Sequence, residues 1–247
     1  MRVPAKGGKV DRVVMRPPIV SLACAFVLAA CGAQPLPDAR TTVISLQKID
    51  CAECGHEIVS DLRRRPGVYD ARFDRRRAEI SVTASSAFDV YSTVKQLAAN
   101  EGYEALLGGG KGLYLDFAKF PEGADVATIA RDGQDVPRLE EHLVRGKVTV
   151  VDFSAIWCEP CRKVDEHMAG VLSRRGDVAY RKLDIGDWDT PLAQRYLRAV
   201  PQLPYVIVYG ADGQQVEAIS GLATARLDAA IERAARASAS APAQPAQ

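Results

Sequence analysis

Apolar positions change their period several times along the 247 residues. Ile44 and Leu46 alternate with Ser45 and Gln47, the pattern of a strand with one buried face. Ile58 and Leu62 stand one helical turn apart, and Pro66-Gly67 ends that helix. Val68 to Phe73 reads as a second strand. Ala78, Ile80 and Val82 alternate with Glu79, Ser81 and Thr83 in a third. Val90, Val94 and Leu97 mark a second helix, and Gly102-Tyr103 leads into a last short strand. Further on, Thr149 to Phe153 is short, β-branched and almost wholly apolar, which predicts a strand covered on both faces. From Arg162 the spacing is helical, with Val164, Met168, Val171 and Leu172 on one face. Val136 to Arg145 predicts an early helix, and Tyr180 to Ile185 and Tyr205 to Tyr209 predict further strands.

The first block, residues 42–107, has the order βαββαβ of a ferredoxin-like split βαβ. The second, residues 113–236, mixes strands and helices, so the fold class is α/β (α+β) with two small domains. Gly-Gly-Gly-Lys-Gly at 108–112 reads as an interdomain hinge. It lacks the Gly-Lys-Ser/Thr that ends a phosphate loop. Ala234 to Gln247 is rich in Ala, Ser, Pro and Gln, and residues 237–247 are expected to be a disordered tail. At the other end, Ile19 to Ala30 is an apolar run of 12 residues, too short to span a bilayer, behind Lys6, Lys9, Arg12 and Arg16. Residues 1–30 therefore read as an export signal, for which Met15 is an alternative start. Residues 31–41, with Pro35 and Pro37, read as a tether.

Charge changes little. The formal net charge is +1, but the signal carries five Lys/Arg and one Asp, and the remainder is at −3. No basic stripe interleaved with aromatics points to nucleic acid. Cysteine changes more. Of Cys24, Cys31, Cys51, Cys54, Cys158 and Cys161, four form two Cys-x-x-Cys pairs, which is not a framework of structural disulfides.

Cys158 falls at the predicted start of a helix, where free N–H groups and the macrodipole favour a thiolate. Two intervening residues let its sulfur meet that of Cys161 across one turn, so the pair can cycle between dithiol and disulfide. With Trp157 before the first cysteine and Pro160 before the second, the stretch resembles the thioredoxin active site. Leu203-Pro204-Tyr205-Val206 matches that family's cis-proline loop. The resemblance covers residues 113–236 and implies a thioredoxin fold. By it, Cys158 is the nucleophile and Cys161 the resolving thiol. Asp152 is the buried acid that handles the second thiol's proton, and Lys182 is its lysine neighbour. A cis bond at Pro204 would turn the Leu203 backbone toward a substrate strand. Such exchange needs no cofactor. An ordinary strand-end carboxylate at Asp152 and a solvated lysine at Lys182 are the alternatives.

Cys51-Ala52-Glu53-Cys54 lies where the first strand meets the first helix. With Pro66-Gly67-Val68 and Gly102-Tyr103-Glu104-Ala105, it resembles the heavy-metal-associated domain of copper chaperones and metal-transport ATPases. That implies a metal site at Cys51 and Cys54. Two thiolates can hold soft Cu(I) and are too few for a closed structural zinc site. Lys48-Ile49-Asp50 stands where that family has Gly-Met-Thr. Ile49 can replace a packing methionine, whereas Asp50 adds a charge that should raise the thiol pKa values. A redox pair exchanging with Cys158, or a structural disulfide, are the other readings. His56 could be a third ligand or a helix-surface residue, while His142 and His167 read as surface. Arg63–Arg65 and Arg75–Arg77 fit solvated ends, or a docking face for an acidic partner or anionic lipid.

Leu28-Ala29-Ala30-Cys31 resembles the bacterial lipoprotein box. This implies a lipidated Cys31 as first mature residue, with an ordinary cleaved signal as the alternative. Gly32 is not the Asp that retains such proteins at the inner membrane, which favours the outer membrane. The expectation is an exported, lipid-anchored, periplasm-facing oxidoreductase acting on a protein disulfide or a metalloprotein and recharged by a membrane electron donor. Glu159 beside Cys158 disfavours its thiolate, which points to a reductase. A metal carrier or sensor whose second domain only docks a partner is the rival from another class.

Overall fold

The computed structural model describes residues 38–240. The signal at 1–30, Cys31 and the last residues of the tail lie outside the described residues.

The N-terminal sheet begins with β1 (Ala39–Ile49), which takes up the end of the expected tether. It is followed by α1 (Ala52–Arg63), β2 (Val68–Asp74), β3 (Glu79–Ser85), α2 (Val90–Asn100) and β4 (Glu104–Leu107). The strands lie in the order β2-β3-β1-β4, and every neighbouring pair is antiparallel. Ile58, Val59 and Leu62 of α1 and Val90, Val94 and Ala98 of α2 are buried with Ile44, Leu46, Ile80 and Val82. Each large side chain so buried contributes on the order of 1.5–3 kcal/mol.

Two expectations change here. Ser45 is buried like its neighbours, so the middle of β1 is covered on both faces. The cover is the glycine segment itself. The Ser45 hydroxyl donates to the Gly108 carbonyl (2.8 Å) and accepts from the Lys111 amide (3.2 Å), and the Gly108 amide donates to the Val43 carbonyl (2.9 Å). A Cβ at Gly112 would stand 1.8 Å from the Arg77 carbonyl oxygen. Residues 108–112 are thus a closely packed strap and not a hinge. They deliver β5 (Leu113–Tyr114) as a parallel neighbour of β1. The second domain's expected first residues therefore belong to the first sheet.

The second sheet contains β6 (Val126–Ala130), β7 (Val148–Ser154), β8 (Val178–Asp184), β9 (Tyr205–Tyr209) and β10 (Gln215–Ser220). Their order is β10-β9-β7-β8-β6. β8 runs parallel to β7 and β6, and β9 is antiparallel to β7 and β10. All seven residues of central β7 are buried, as its apolar run predicts. α3 (Glu159–Leu172) follows it, α4 (Pro191–Tyr196) precedes β9, and α5 (Thr224–Ser240) closes the described chain. The helix expected over Val136 to Arg145 is one 3-10 turn at Leu139–His142. Arg138 offers it no capping side chain, and Leu143 is already extended. α5 also runs through Ala234, which composition had assigned to a frayed tail. Ala234 is fully buried and continues the stripe of Leu227, Ala230 and Ile231.

Candidate functional site

β7 leads straight into the redox pair. Cys158 caps α3 with an extended backbone, and its Sγ accepts from the Cys161 amide at 3.2 Å. Pro160 sits in the first turn, where a missing N–H costs nothing. The pair is closed as a disulfide with Cα atoms 5.3 Å apart. Trp157 is anchored by its indole N–H, which donates to the Gly186 carbonyl at 2.7 Å. The Leu203–Pro204 bond is cis, as the loop resemblance implies. Cys161 is fully buried, and Cys158 is only 4% exposed.

Behind the pair lies a buried polar group. Asp152 is fully buried on β7, and burial, then the charge of Asp165, pushes its carboxyl up to about 7. The Tyr180 hydroxyl lies 2.9 Å from Asp152 Oδ2 and 2.8 Å from Asp165 Oδ1. Lys182 is the register partner of Asp152 across β7 and β8. Its ammonium, however, donates to Asp165 Oδ2, so the expected Asp152–Lys182 pairing is indirect. The lysine is not solvated. It lies against the Phe117 ring, 4.3 Å from the centroid, beside a cleft of about 220 Å³.

Cys51 and Cys54 repeat the same local design on the other sheet. Cys51 caps α1, its Sγ accepts from the Cys54 amide at 3.2 Å, and the pair is a disulfide. Asp50 Oδ1 accepts from the Tyr103 hydroxyl at 2.7 Å and lies 3.4 Å from Cys54 Sγ. A reduced Cys54 thiol at that distance can donate to the carboxylate, which favours the protonated thiol. The possible ligand atoms of Asp50, Cys51 and Cys54 lie within 4.8 Å of one another. Soft thiolates fit a soft ion, but only after the disulfide opens. His56 is no part of this group; its ring packs edge-on to Phe73 at 5.3 Å.

The two pairs meet. The Ala52 amide, between Cys51 and Cys54, donates to the carbonyl of Trp157 at 3.1 Å, and Trp157 directly precedes Cys158. Ala52 and Cys54 pack on the apolar cluster that holds Trp157 and Cys158. Arg75 lies over the Trp157 ring at 4.5 Å and pairs through both nitrogens with Asp187, while Arg76 pairs with Asp132 at 2.6 Å. These arginines form a docking face after all, and the acidic partner is the chain's own second domain. Arg63–Arg65 instead bond within their own sheet layer, to Asp61, Ser60 and the Ala71 carbonyl. His167 pairs with Asp228, and the His142 carbonyl accepts from Arg181.

Three site residues escaped the sequence reading: Asp165, Tyr180 and Arg162. Asp165 stands one helical turn after Cys161, which puts both on one face of α3. Tyr180 precedes Lys182 by two, which puts both on one side of β8. Those spacings were the available signal. Arg162 is 6% exposed and donates to the Ile156 carbonyl at 3.1 Å, and among the described residues its Nη2 has no hydrogen-bond partner. Burial holds its pKa below the ordinary guanidinium value, against the opposing charge of Asp50.

Residues 137–233 match the thioredoxin family model. The chain is similar to thioredoxin H-type 1 of Nicotiana tabacum, 29% identical over 107 residues, which is 40% of this chain and 82% of that protein. It is 34% identical to thioredoxin H-type of Fagopyrum esculentum over 76 residues, 31% of this chain and 62% of that protein. Among solved structures, Fasciola hepatica thioredoxin aligns with 29% identity over 37% of this chain and 84% of that chain, with a TM-score of 0.31.

Proposed function

With a thioredoxin domain at residues 137–233 and thiol–disulfide oxidoreductase chemistry at Cys158/Cys161 as premises, we propose that this chain is an exported, lipid-anchored reductase whose internal substrate is the Cys51–Cys54 disulfide. The observation that carries this is the Ala52–Trp157 hydrogen bond. It sets the residue between one cysteine pair against the residue preceding the other pair's nucleophile. A nucleophile only 4% exposed offers little surface to a large external disulfide, and Ala52 is bonded to the residue that precedes it.

The reaction balances without a cofactor. The Cys158 thiolate attacks one sulfur of the Cys51–Cys54 disulfide, and the other sulfur leaves as a thiolate. Cys161 then attacks Cys158 Sγ. The mixed disulfide breaks, a Cys158–Cys161 disulfide forms, and two electrons have moved to Cys51/Cys54. A membrane electron donor recharges the second pair.

The strand order β2-β3-β1-β4 and the position of Cys51 support a ferredoxin-like, heavy-metal-associated reading of the first domain. In that reading the reduced Cys51/Cys54 thiolates hold Cu(I), with Asp50 beside them. Outside the cytoplasm such a pair oxidises and an oxidised pair binds no Cu(I), so a tethered reductase maintains the site. The lipidated Cys31 rests on the Leu28-Ala29-Ala30-Cys31 motif, and outer-membrane placement on Gly32 in place of Asp.

Two experiments test the two halves. In full chains carrying Cys161→Ser with Cys54→Ser, or Cys161→Ser with Cys51→Ser, mild oxidation should join Cys158 to the remaining N-terminal cysteine in at least one variant. Peptide mass spectrometry reads the link. Cys158 joined only to added small thiol in both variants removes the internal-substrate reading. Separately, anaerobic Cu(I) titration of the reduced chain against a chelator should show one-to-one binding that Cys51→Ser/Cys54→Ser abolishes. Equal binding by that variant removes the metal and leaves a redox relay.

A further inference from the structure

We propose that Tyr180 joins Asp152 and Asp165 into one proton-sharing unit, with Lys182 at its outer end, and that this unit takes up and carries away the Cys161 proton when the mixed disulfide is resolved. A phenol has one hydroxyl hydrogen and can donate to one acceptor. The Tyr180 oxygen nevertheless lies within hydrogen-bond distance of two carboxylate oxygens, Asp152 Oδ2 at 2.9 Å and Asp165 Oδ1 at 2.8 Å. With both acids ionised, one of those contacts would set lone pair against lone pair in a fully buried site. One carboxyl must therefore carry a proton and donate it to the tyrosine oxygen.

Either acid can do so without any heavy atom moving. In one arrangement Asp152 donates to Tyr180 and Tyr180 donates to Asp165, which Lys182 holds as a carboxylate. In the other, Asp165 donates to Tyr180 and Tyr180 donates to Asp152. Passing between them moves one proton from Asp152 to the tyrosine oxygen and the tyrosine's own proton to Asp165. The tyrosine stays neutral throughout, since burial, then the two acids' charges, raise its pKa well above the usual phenol value. Burial, then the charge of Asp165, puts the Asp152 carboxyl at about 7, where a proton is gained and lost readily.

The remaining oxygen, Asp152 Oδ1, is buried and, among the described residues, has no hydrogen-bond partner in this geometry, although the Ser154 hydroxyl lies near enough to the carboxylate to favour its ionised form. It is the free acceptor of the unit. During resolution the Cys161 sulfur attacks Cys158 Sγ, the bond from Cys158 to the substrate sulfur breaks, and the substrate leaves as a thiolate. Starting from protonated Asp152 and ionised Asp165, the Cys161 proton goes to Asp152 Oδ1 as the Asp152 Oδ2 proton passes to the Tyr180 oxygen and the tyrosine's own proton passes to Asp165 Oδ1; Asp165 then gives up its proton to solvent. Lys182 marks the exit, because it borders the cleft of about 220 Å³ also lined by Thr128, Asp132 and Asp184. Tyr180 and Asp165 act through Asp152 and are positioning residues in this scheme.

The groups facing Asp152 are few. β8 supplies Tyr180 and Lys182, α3 supplies Asp165, one helical turn beyond Cys161, its own strand supplies Ser154, and its β9 register partner is Val206. The connecting segment before β6 contributes aromatic rings to Lys182, those of Phe117 and Phe120.

The test follows aspartate side-chain carboxyl 13C shifts with pH in the full reduced chain, with assignments from Asp152→Asn and Asp165→Asn. In the unmodified chain the Asp152 and Asp165 signals should respond together through one shared step near neutral pH. Tyr180→Phe should move the Asp152 midpoint up by about one pH unit, because its hydrogen bond to the carboxylate is lost. Asp165→Asn should move it down by about as much, because a like charge disappears and Lys182 loses its acid. The pH midpoint of the resolving rate, measured by single-turnover release of a small aromatic thiol from its Cys158 mixed disulfide, should follow in both variants. Separate, independent titrations of the two acids in the unmodified chain overturn the proposal even where a variant fails to fold. So do midpoints that stay fixed, or move in the same direction, in Tyr180→Phe and Asp165→Asn.

Discussion

Replacing Cys158 by serine abolishes disulfide reduction, lowering kcat/KM on the order of 10⁴-fold or more. The size of the effect follows from the chemistry. A serine hydroxyl in that position is protonated at any working pH and does not displace a thiolate from sulfur, whereas a cysteine capping α3 receives the Cys161 amide at its sulfur. Binding surfaces survive the exchange, because the oxygen is smaller than the sulfur and Trp157 keeps its bond to the Gly186 carbonyl. The measurement is single-turnover reduction of a small aromatic disulfide by the prereduced chain, in a Cys51→Ser/Cys54→Ser background so that only the second pair is read. Retention of more than a few per cent of the rate would show that the attacking sulfur lies elsewhere. The same substitution separates a reductase from a carrier. If metal delivery persists in full with Cys158→Ser, the thioredoxin domain serves only to dock a partner.

The second large effect concerns stability. Asp152 has an unperturbed carboxyl value of 3.8 and a folded value of about 7, set first by burial and then by Asp165. Between those values the native state binds the proton and the unfolded chain does not, so stability falls as pH rises from about 4 to 7 and stays low above. The full penalty is roughly 4 kcal/mol, three pKa units at about 1.4 kcal/mol each. Asparagine cannot ionise, and its amide can donate to the Tyr180 oxygen as a protonated acid does. Asp152→Asn should therefore leave stability nearly unchanged at about pH 3.5 and raise it by up to roughly 4 kcal/mol at pH 8. Urea unfolding of the oxidised chain, with both disulfides closed, checks this at the two pH values. A gain of equal size at both would assign the effect to packing and not to ionisation. The same variant should slow the resolving step, because Cys161 loses the acceptor of its proton. A group that destabilises the fold and speeds the chemistry is the expected trade at a redox site.

Much of this arrangement was legible in the linear sequence, where the physics is local. The buried strand β7, the capped start of α3 and the two Cys-x-x-Cys pairs depend on residues within one or two turns of each other, and short-range periodicity and capping report them directly. Three kinds of feature were not legible. The glycine segment 108–112 looked like a hinge because four of its five residues lack side chains; in the structure that lack lets it lie against β1 and the turn before β3, where Gly112 has no room for a Cβ beside the Arg77 carbonyl. The tail looked frayed by composition, but burial of Ala234 in a stripe begun at Leu227 carries α5 to Ser240. Arg75 looked solvated because no local pattern names Asp187, its partner 112 residues away.

The sequence by itself determined which atoms can do the chemistry: two sulfurs at each of two helix starts, an acid on the strand before one of them, and a proline to follow. These depend on identity and short spacing, which the chain carries wherever it folds. Only the tertiary structure decided who meets whom. Packing of α3 on β7 and β8 sets Asp165 and Tyr180 against Asp152 and gives Lys182 to the second acid. Packing of one sheet's cysteine loop against the other's places Ala52 on Trp157. Such pairings arise from burial and register over separations of tens to a hundred residues, where no short-range periodicity can record them.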